Sequence, residues 1–362
     1  MTTDADLHRL ALASLDGFKD PWTGRPLSKT NQIRDWQISD GNIRCNLALS
    51  SHSLPIAQEV VERFVDHLRV SAPGVKSIDV SVIADDRPIP PLGQIGLRAR
   101  SVIAVAAGKG GVGKSTVAAS LALALKNLGS RVGLMDADVY GPSVPTLLGV
   151  RGRPEIVEGK IQPIDAGGIP VMSMGFLVEP DQAVVWRGPM LHGSISQFLK
   201  DTRWGELDYL IIDMPPGTGD VALTLSQMLP LSGAVIVCTP QEVALLDAGK
   251  AIAMFRKVEI PILGMVENMS SFTCPDTRKT YYIFGHGGAR AKAQGQWNIP
   301  FLGELPIDIS IREMCDEGRL AEAMLDPVLS LPMVNVARAV VRSLSDHAAR
   351  SSSAAKPLPV LS

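Results

Sequence analysis

An α/β fold with a mostly parallel sheet flanked by helices is predicted for most of this chain. Apolar runs of strand length cover residues 101–106, 131–136 and 207–213, and each ends at a glycine-rich loop or an aspartate. Segments with helical spacing lie between these runs, and this alternation is typical of a parallel sheet. Further apolar runs at 233–238 and 261–266 extend the sheet, and a smaller α/β segment precedes it.

The glycine-rich loop after the first run carries the phosphate-loop pattern G-x-x-x-x-G-K-[ST]. Its residues are Gly108, Lys109, Gly110, Gly111, Val112, Gly113, Lys114, Ser115 and Thr116. Glycines allow successive backbone N–H groups to face phosphates, and the helix that follows presents its positive end to them. We expect Lys114 to reach the β and γ phosphates and the Ser115 hydroxyl to bind Mg²⁺. The order of strand, loop and helix predicts the fold of a P-loop NTPase that binds ATP or GTP.

Carboxylates follow the next two predicted strands. Asp136 and Asp138 end the run at 131–136, and Asp213 ends the run at 207–213. The carboxyl ends of strands in an α/β sheet are where ligands bind. Asp213 has the position of a Walker B carboxylate that holds Mg²⁺, and the loop at 217–220 is expected to sense the γ-phosphate.

The loop GKGGVGKST resembles the deviant Walker A loop of the MinD, ParA and nitrogenase iron-protein class. In that class the additional lysine, here Lys109, crosses a dimer interface, which implies an ATP-dependent homodimer; a solvated loop lysine is the alternative. The resemblance also implies that Asp138 orients the attacking water and that Asp136 supports the Mg²⁺ shell. It implies that Asn268 binds the adenine base, although asparagine also favours turns for local reasons.

Six motifs in order resemble the Mrp/ApbC family of iron–sulfur cluster carrier ATPases. They are GKGGVGKST, LMDADVYGPS, LIIDMPPGTGD, TPQEVALLDAGKAI, VENMSSF and IFGHGGA, within about residues 100–345. The resemblance implies a homodimer that binds and hydrolyses ATP, carries an iron–sulfur cluster between its protomers and delivers the cluster to apoproteins.

The sequence departs from that family at its cluster-binding motif. The family carries Cys-x-x-Cys after the VENMSSF segment, whereas this chain has Cys274 and Thr277. Two copies of Cys274 supply half of the four thiolates that a cluster ordinarily takes, so Asp276, His286 or a small thiol would have to complete the shell. The absent thiolate favours an alternative function, a MinD- or ParA-like regulatory dimerisation ATPase without cluster binding. The remaining cysteines, Cys45, Cys238 and Cys315, are expected to be structural.

Composition places limits on other functions. The chain has 362 residues, 46% of them hydrophobic and 20% charged, with a formal net charge of -2. The near-neutral charge gives no support for nucleic-acid binding. No apolar run approaches the length of a membrane span, and the acidic start lacks the features of a signal peptide. We therefore expect a cytoplasmic protein that binds no membrane.

Domain boundaries are predicted from the apolar periodicity and from a proline-rich stretch. Residues 1–84 are predicted to form a small α/β domain with a strand, a helix and a second strand, resembling the N-terminal domain of bacterial Mrp and SufT-like proteins. This domain either engages a partner or stabilises the chain. A linker at 85–99, an ATPase domain at 100–349 and a disordered tail at 350–362 follow. The last amphipathic helix is expected to dock on the protein rather than on a membrane, because it has few basic residues.

Overall fold

A computed structural model describes residues 3–85, 87–139, 141–176, 188–217 and 219–354. The chain divides into two compact units. The smaller unit contains Met1–Pro88 and Val341–Ser362, and the larger contains Ile89–Val340. Within the described residues no helix is both long enough and apolar enough to cross a membrane.

The N-terminal part of the small unit is a three-stranded sheet with two α-helices. Its elements are α1 (Asp4–Ser14), β1 (Ile33–Ser39), β2 (Asn42–Leu49), α2 (Ala57–Ser71) and β3 (Ser77–Ala84). Strands β2 and β3 pair in parallel around α2, and β1 adds to β2 in antiparallel orientation. The predicted strand–helix–strand order is therefore present. Helix α2 buries Val60, Phe64 and Leu68, which recur every four residues, as an amphipathic helix requires.

The first half of the large unit contains the phosphate loop and the strands that follow it. Its elements are β4 (Ala99–Ala106), α3 (Lys114–Asn127), β5 (Val132–Asp136), α4 (Val144–Leu147), β6 (Ile156–Val157), β7 (Lys160–Ile161), β8 (Ile164–Ala166), β9 (Ile169–Ser173), α5 (Gly188–Asp201) and β10 (Leu207–Asp213).

The second half completes the sheet and covers it. Its elements are α6 (Gly219–Met228), β11 (Gly233–Cys238), α7 (Glu242–Lys257), β12 (Ile262–Thr273), β13 (Thr280–Tyr281), α8 (Gly288–Ala291), β14 (Phe301–Ile307), α9 (Ile309–Asp316), α10 (Leu320–Ala323) and α11 (Pro327–Ala354).

Nine of the described strands form the main sheet. Their order is β13-β12-β11-β4-β10-β5-β9-β8, and β14 also pairs with β12. Only β8 and β13 pair in antiparallel orientation, so the sheet is mostly parallel as predicted. Every residue of β5, β10 and β11 is buried, since helices cover both faces of such a sheet.

The C-terminal helix differs from the prediction in its extent. A disordered tail was expected from residue 350, but α11 continues to Ala354, and residues 355–362 lie outside the described part of the chain. The large unit ends at Val340, whereas the ATPase domain was expected to reach residue 349. The following turns of α11 belong to the small unit, where Arg342 lies 3.5 Å from the Glu59 carboxylate.

Candidate nucleotide-binding site

The register of three parallel strands brings the predicted carboxylates together. Asp213 at the end of β10 lies opposite Asp136 on β5 and opposite Val105 on β4. The phosphate loop starts directly after β4, so loop and carboxylates share the carboxyl edge of the sheet. This edge is the expected ligand site of an α/β fold.

Two glycines of the phosphate loop are required by close contacts. A Cβ atom on Gly108 would lie 2.1 Å from the backbone of Asp247 on α7. Gly113 has a φ of 80°, and a Cβ atom there would lie 2.3 Å from Nδ2 of Asn268. Gly113 caps α3, which begins at Lys114. The loop therefore turns sharply into the helix and packs tightly against its neighbours.

Lys114 occupies the centre of the site. Its ammonium lies 2.5 Å from Oδ1 of Asp213 and 3.8 Å from Oδ2 of Asp138, and it donates to Oγ of Ser115 over 3.2 Å. The lysine side chain is 7% exposed and that of Asp213 is fully buried. The structure thus brings three of the predicted site residues together around the Lys114 cation.

Asp136 is held by a separate set of donors. Its Oδ1 accepts the N–H of Asp138 over 3.0 Å, and its Oδ2 accepts the Ser173 hydroxyl over 2.8 Å and the N–H of Val144 over 3.4 Å. Ser173 was missed by the sequence analysis. Ser173 ends the apolar strand β9, and a polar residue at the end of an apolar run was the sequence signal that could have identified it.

The buried carboxylates influence each other's protonation. Burial and the nearby Asp213 carboxylate raise the pKa of Asp136 to about 7, although its hydrogen bonds act in the opposite direction. Burial also raises the pKa of Asp213, while Lys114 acts to lower it. Two carboxylates at a single site disfavour double ionisation, so an additional cation would stabilise both as anions.

The donor set fits Mg²⁺ bound together with a nucleotide. Oδ2 of Asp213 is buried and has no hydrogen-bond partner among the described residues. Those residues contain no group of three or more His, Cys, Asp or Glu side chains placed to hold a metal. Mg²⁺ in nucleotide sites is commonly held by one or two carboxylates, waters and substrate phosphates rather than by a protein cage. Asp213 and Ser115 fit that arrangement.

Asn268 contacts the phosphate loop. It lies on β12, and its Nδ2 donates to the Val112 carbonyl over 2.9 Å. A cavity of about 150 Å³ opens beside it, lined mainly by apolar side chains. The lining includes Thr116, Asn268, Leu305, Pro306, Ile311 and Met333. The contribution of residues 305–333 was not predicted, because it depends on the pairing of β14 with β12.

Lys109 is the second lysine of the phosphate loop. It is half-buried, and within the described residues its ammonium makes no hydrogen bond or ion pair. Gly110 and Gly111 beside it are exposed, whereas Val112 is 3% exposed. Of the two loop lysines, Lys114 is therefore buried and Lys109 is half-buried.

Cys274 lies apart from this group, in the turn between β12 and β13. The thiol accepts hydrogen bonds from the Thr277 hydroxyl, the Thr277 N–H and the Asp276 N–H. These bonds lower the pKa of Cys274. Cys274 is half-buried, whereas Cys45, Cys238 and Cys315 are buried. Thiolates are the form that binds metal, so Cys274 has the chemistry of a ligand.

The side chains suggested to complete the cluster shell are not gathered around Cys274. Asp276 and His286 are exposed, and His286 stacks on Tyr282 with ring centroids 4.2 Å apart. Cys274, Asp276 and His286 do not form a three-ligand metal group in the described part of the chain. One protomer therefore offers a single thiol at this position.

A phosphate loop between β4 and α3, with carboxylates at the ends of β5 and β10, defines a P-loop NTPase. Residues 98–341 match a model of the family described as ParA: NUBPL iron-transfer P-loop NTPase. The chain belongs to this family, and the resemblance drawn from its motifs is confirmed.

Sequence matches to known proteins cover most of the chain. An iron–sulfur cluster carrier protein of Synechocystis sp. is 44% identical over 88% of this chain and 90% of its own. A protein of the same description from Deinococcus radiodurans is 44% identical over 92% and 93%. A nucleotide-binding protein of Archaeoglobus fulgidus, solved in complex with ADP, superposes with a TM-score of 0.55. It is 42% identical, and the match covers 62% of this chain and 89% of that protein.

Proposed function

We propose that this protein is an ATP-hydrolysing iron–sulfur cluster carrier that acts as a homodimer and transfers clusters to apoproteins. One observation carries the proposal. Strand β12 holds Asn268 against the phosphate loop and continues directly into Cys274, a half-buried thiol with a lowered pKa. One strand and the residue that follows it therefore connect the nucleotide site to the candidate cluster ligand. The relatives described as cluster carriers support this function.

The ATPase proposal assigns a role to each side chain of the central group. Lys114 binds the β and γ phosphates, Asp213 and Ser115 hold Mg²⁺, and Asp138 orients the attacking water. Bound Mg²⁺ would neutralise charge that develops on the phosphate oxygens. Asp136 fixes the backbone at Asp138 through their hydrogen bond. Asp213→Asn should then reduce hydrolysis by weakening metal retention, and normal turnover at limiting Mg²⁺ would contradict this role.

The base is proposed to occupy the apolar cavity beside Asn268. An adenine ring would pack against Pro306 and Ile311, while the Asn268 amide is available at the cavity wall. Lys109 is proposed to reach the nucleotide of the partner protomer.

The cluster is proposed to be cargo held between two copies of Cys274, with further ligands from outside the chain. The test is anaerobic reconstitution with iron and sulfide, followed by visible absorption and iron analysis. The intact protein should bind a cluster, Cys274→Ala should lose it, and the buried Cys315→Ala should retain it. Absence of a cluster in the intact protein would contradict the carrier function.

The presence of Thr277 in place of a second cysteine supports one alternative function. A regulatory dimerisation ATPase of the MinD or ParA kind would need the nucleotide site and Lys109 but no thiol. ATP-dependent dimerisation without any reconstituted cluster would favour this alternative.

A further inference from the structure

Two motifs that are distant in the sequence meet at one buried carboxylate. Glu267 of the VENMSSF segment is fully buried on β12. Its Oε1 accepts the N–H of Gly287 over 3.4 Å and its Oε2 accepts the N–H of Ala289 over 2.8 Å. Gly287 and Ala289 belong to the IFGHGGA segment. A buried carboxylate with such bonds is costly to disrupt, so this contact fixes the backbone of that segment.

The contact closes the base of the thiol-bearing segment, residues 274–286. The chain leaves β12 at Thr273, turns at Cys274, pairs back through β13 and returns at Gly287. Near the return, Gly288 has no space for a side chain, because a Cβ atom there would lie 2.9 Å from Leu245 and 3.0 Å from the Pro240 carbonyl. The segment is therefore anchored where it leaves the sheet and where it returns.

The next residue along β12 contacts the nucleotide loop. Successive side chains of a strand point in opposite directions, and Asn268 bonds to the Val112 carbonyl while Glu267 bonds to Gly287 and Ala289. Met269 follows with a φ of 56°, and the pairing between β12 and β14 shifts register just after Asn268. Backbone in the left-handed region is strained for a residue with a side chain.

We propose that Glu267 is a positioning residue that couples the thiol-bearing segment to nucleotide binding at the phosphate loop. A displacement of the phosphate loop at Val112 moves the Asn268 side chain bonded to it. Because Glu267 precedes Asn268 on β12, the displacement also moves the carboxylate that anchors the thiol-bearing segment. The exposure of the Cys274 thiol then depends on whether nucleotide is bound. This inference rests on the proposed nucleotide binding and requires no cluster.

The test measures alkylation of Cys274 by iodoacetamide in the cluster-free, full-length protein, with the modified cysteine identified by mass spectrometry. Rates are compared with and without adenylyl-imidodiphosphate and Mg²⁺, and calorimetry on the same samples measures nucleotide binding. We expect nucleotide to change the rate by about fivefold, the lower end of common couplings between sites. Glu267→Gln removes one acceptor and should reduce the change to less than about twofold.

Two further variants separate coupling from general destabilisation. Gly287→Ala strains the same contact from the other side, since Gly287 has a φ of 70° but open space for a methyl group, and it should also reduce the response. Glu304→Gln removes the carboxylate opposite Glu267 on β14, which pairs with Arg290, and should keep the response of the unmodified protein.

The results distinguish failure of this inference from failure of the proposed function. Bound nucleotide without any effect on the Cys274 rate would overturn the coupling alone. An unchanged nucleotide response in folded Glu267→Gln and Gly287→Ala would also overturn it. Absence of nucleotide binding to the intact protein would overturn both the coupling and the proposed ATPase.

Discussion

The ammonium of Lys114 lies 2.5 Å from Oδ1 of Asp213, and both side chains are almost completely removed from solvent. The pair joins the first helix after the phosphate loop to the end of β10. Each charge compensates the other in a place where an isolated ion would be unfavourable. Removing either group proposed to bind phosphate or Mg²⁺ would therefore leave the other charge buried without compensation.

Removing one member of this pair should destabilise the protein strongly. Lys114→Met leaves Asp213 buried without its cation, and we expect the free energy of unfolding to fall by about 3 kcal/mol. Urea unfolding at pH 8 measures this loss. Lys257→Met, at an exposed position of α7, is the control and should have little effect. The double variant Lys114→Met/Asp213→Asn should cost less than the sum of its single changes, and additive costs would contradict the coupling.

The stability of the protein should contain a pH-dependent contribution from Asp136. Its pKa in the folded protein, about 7, lies above the ordinary value of 3.8, so the folded state binds this proton more tightly. This contribution is fully present below about pH 4 and is lost as pH rises to about 7, at up to about 1.4 kcal/mol per pH unit. Asp213 shares the site, and burial raises its pKa as well.

Unfolding of the intact protein and Asp136→Asn from pH 4 to pH 8 checks this contribution. As pH rises, the free energy of unfolding of the intact protein should fall relative to that of Asp136→Asn. The difference between the two should become constant above about pH 7. Asp66→Asn, at an exposed position of α2, should show no such shift. Parallel profiles for the intact protein and Asp136→Asn would contradict the raised pKa.

Lys109 should be needed for turnover in the proposed homodimer. We expect Lys109→Ala to lower kcat for ATP by about a thousandfold, the lower end of the effect of a cation supplied in trans. Turnover is measured against protein concentration, with the oligomeric state determined by light scattering. Lys257→Ala, at an exposed position of α7, is the control. Unchanged turnover and unchanged dimerisation in Lys109→Ala would contradict a role across the interface.

Asn268 should contribute to nucleotide affinity. Its amide supports the phosphate loop at Val112 and borders the cavity proposed for the base. Losing these contacts in Asn268→Ala should weaken ATP binding by about tenfold, as measured by calorimetry. Asn298→Gly, at a left-handed position outside the site, should bind ATP normally. Equal affinities of Asn268→Ala and the intact protein would exclude this role.

Thr277→Cys should increase cluster binding. The Thr277 hydroxyl already hydrogen-bonds the Cys274 thiol, so a cysteine at 277 would place a second thiol beside the first. Two protomers would then supply the four thiolates that a cluster ordinarily takes. Iron and sulfide content after anaerobic reconstitution should rise relative to the intact protein, whereas Thr273→Cys should give a smaller increase. Equal content in Thr277→Cys and the intact protein would contradict this geometry.

The sequence by itself determined the fold class and the phosphate loop. Both follow from local patterns, because an apolar strand, a glycine-rich turn and a helix start are encoded in consecutive residues. The aspartates that end β5 and β10 were predictable for the same reason.

Only the tertiary structure decided which side chains meet. Three hydrogen bonds join residues that are far apart in the chain. Ser173 bonds to Asp136, Asn268 bonds to the Val112 carbonyl, and Glu267 bonds to the IFGHGGA segment. The order of parallel strands sets the first two contacts, and the path of the chain after β12 sets the third; neither is present in a local pattern. The division of α11 between two units is likewise seen only in the structure, since apolar periodicity does not name the partner of a helix face.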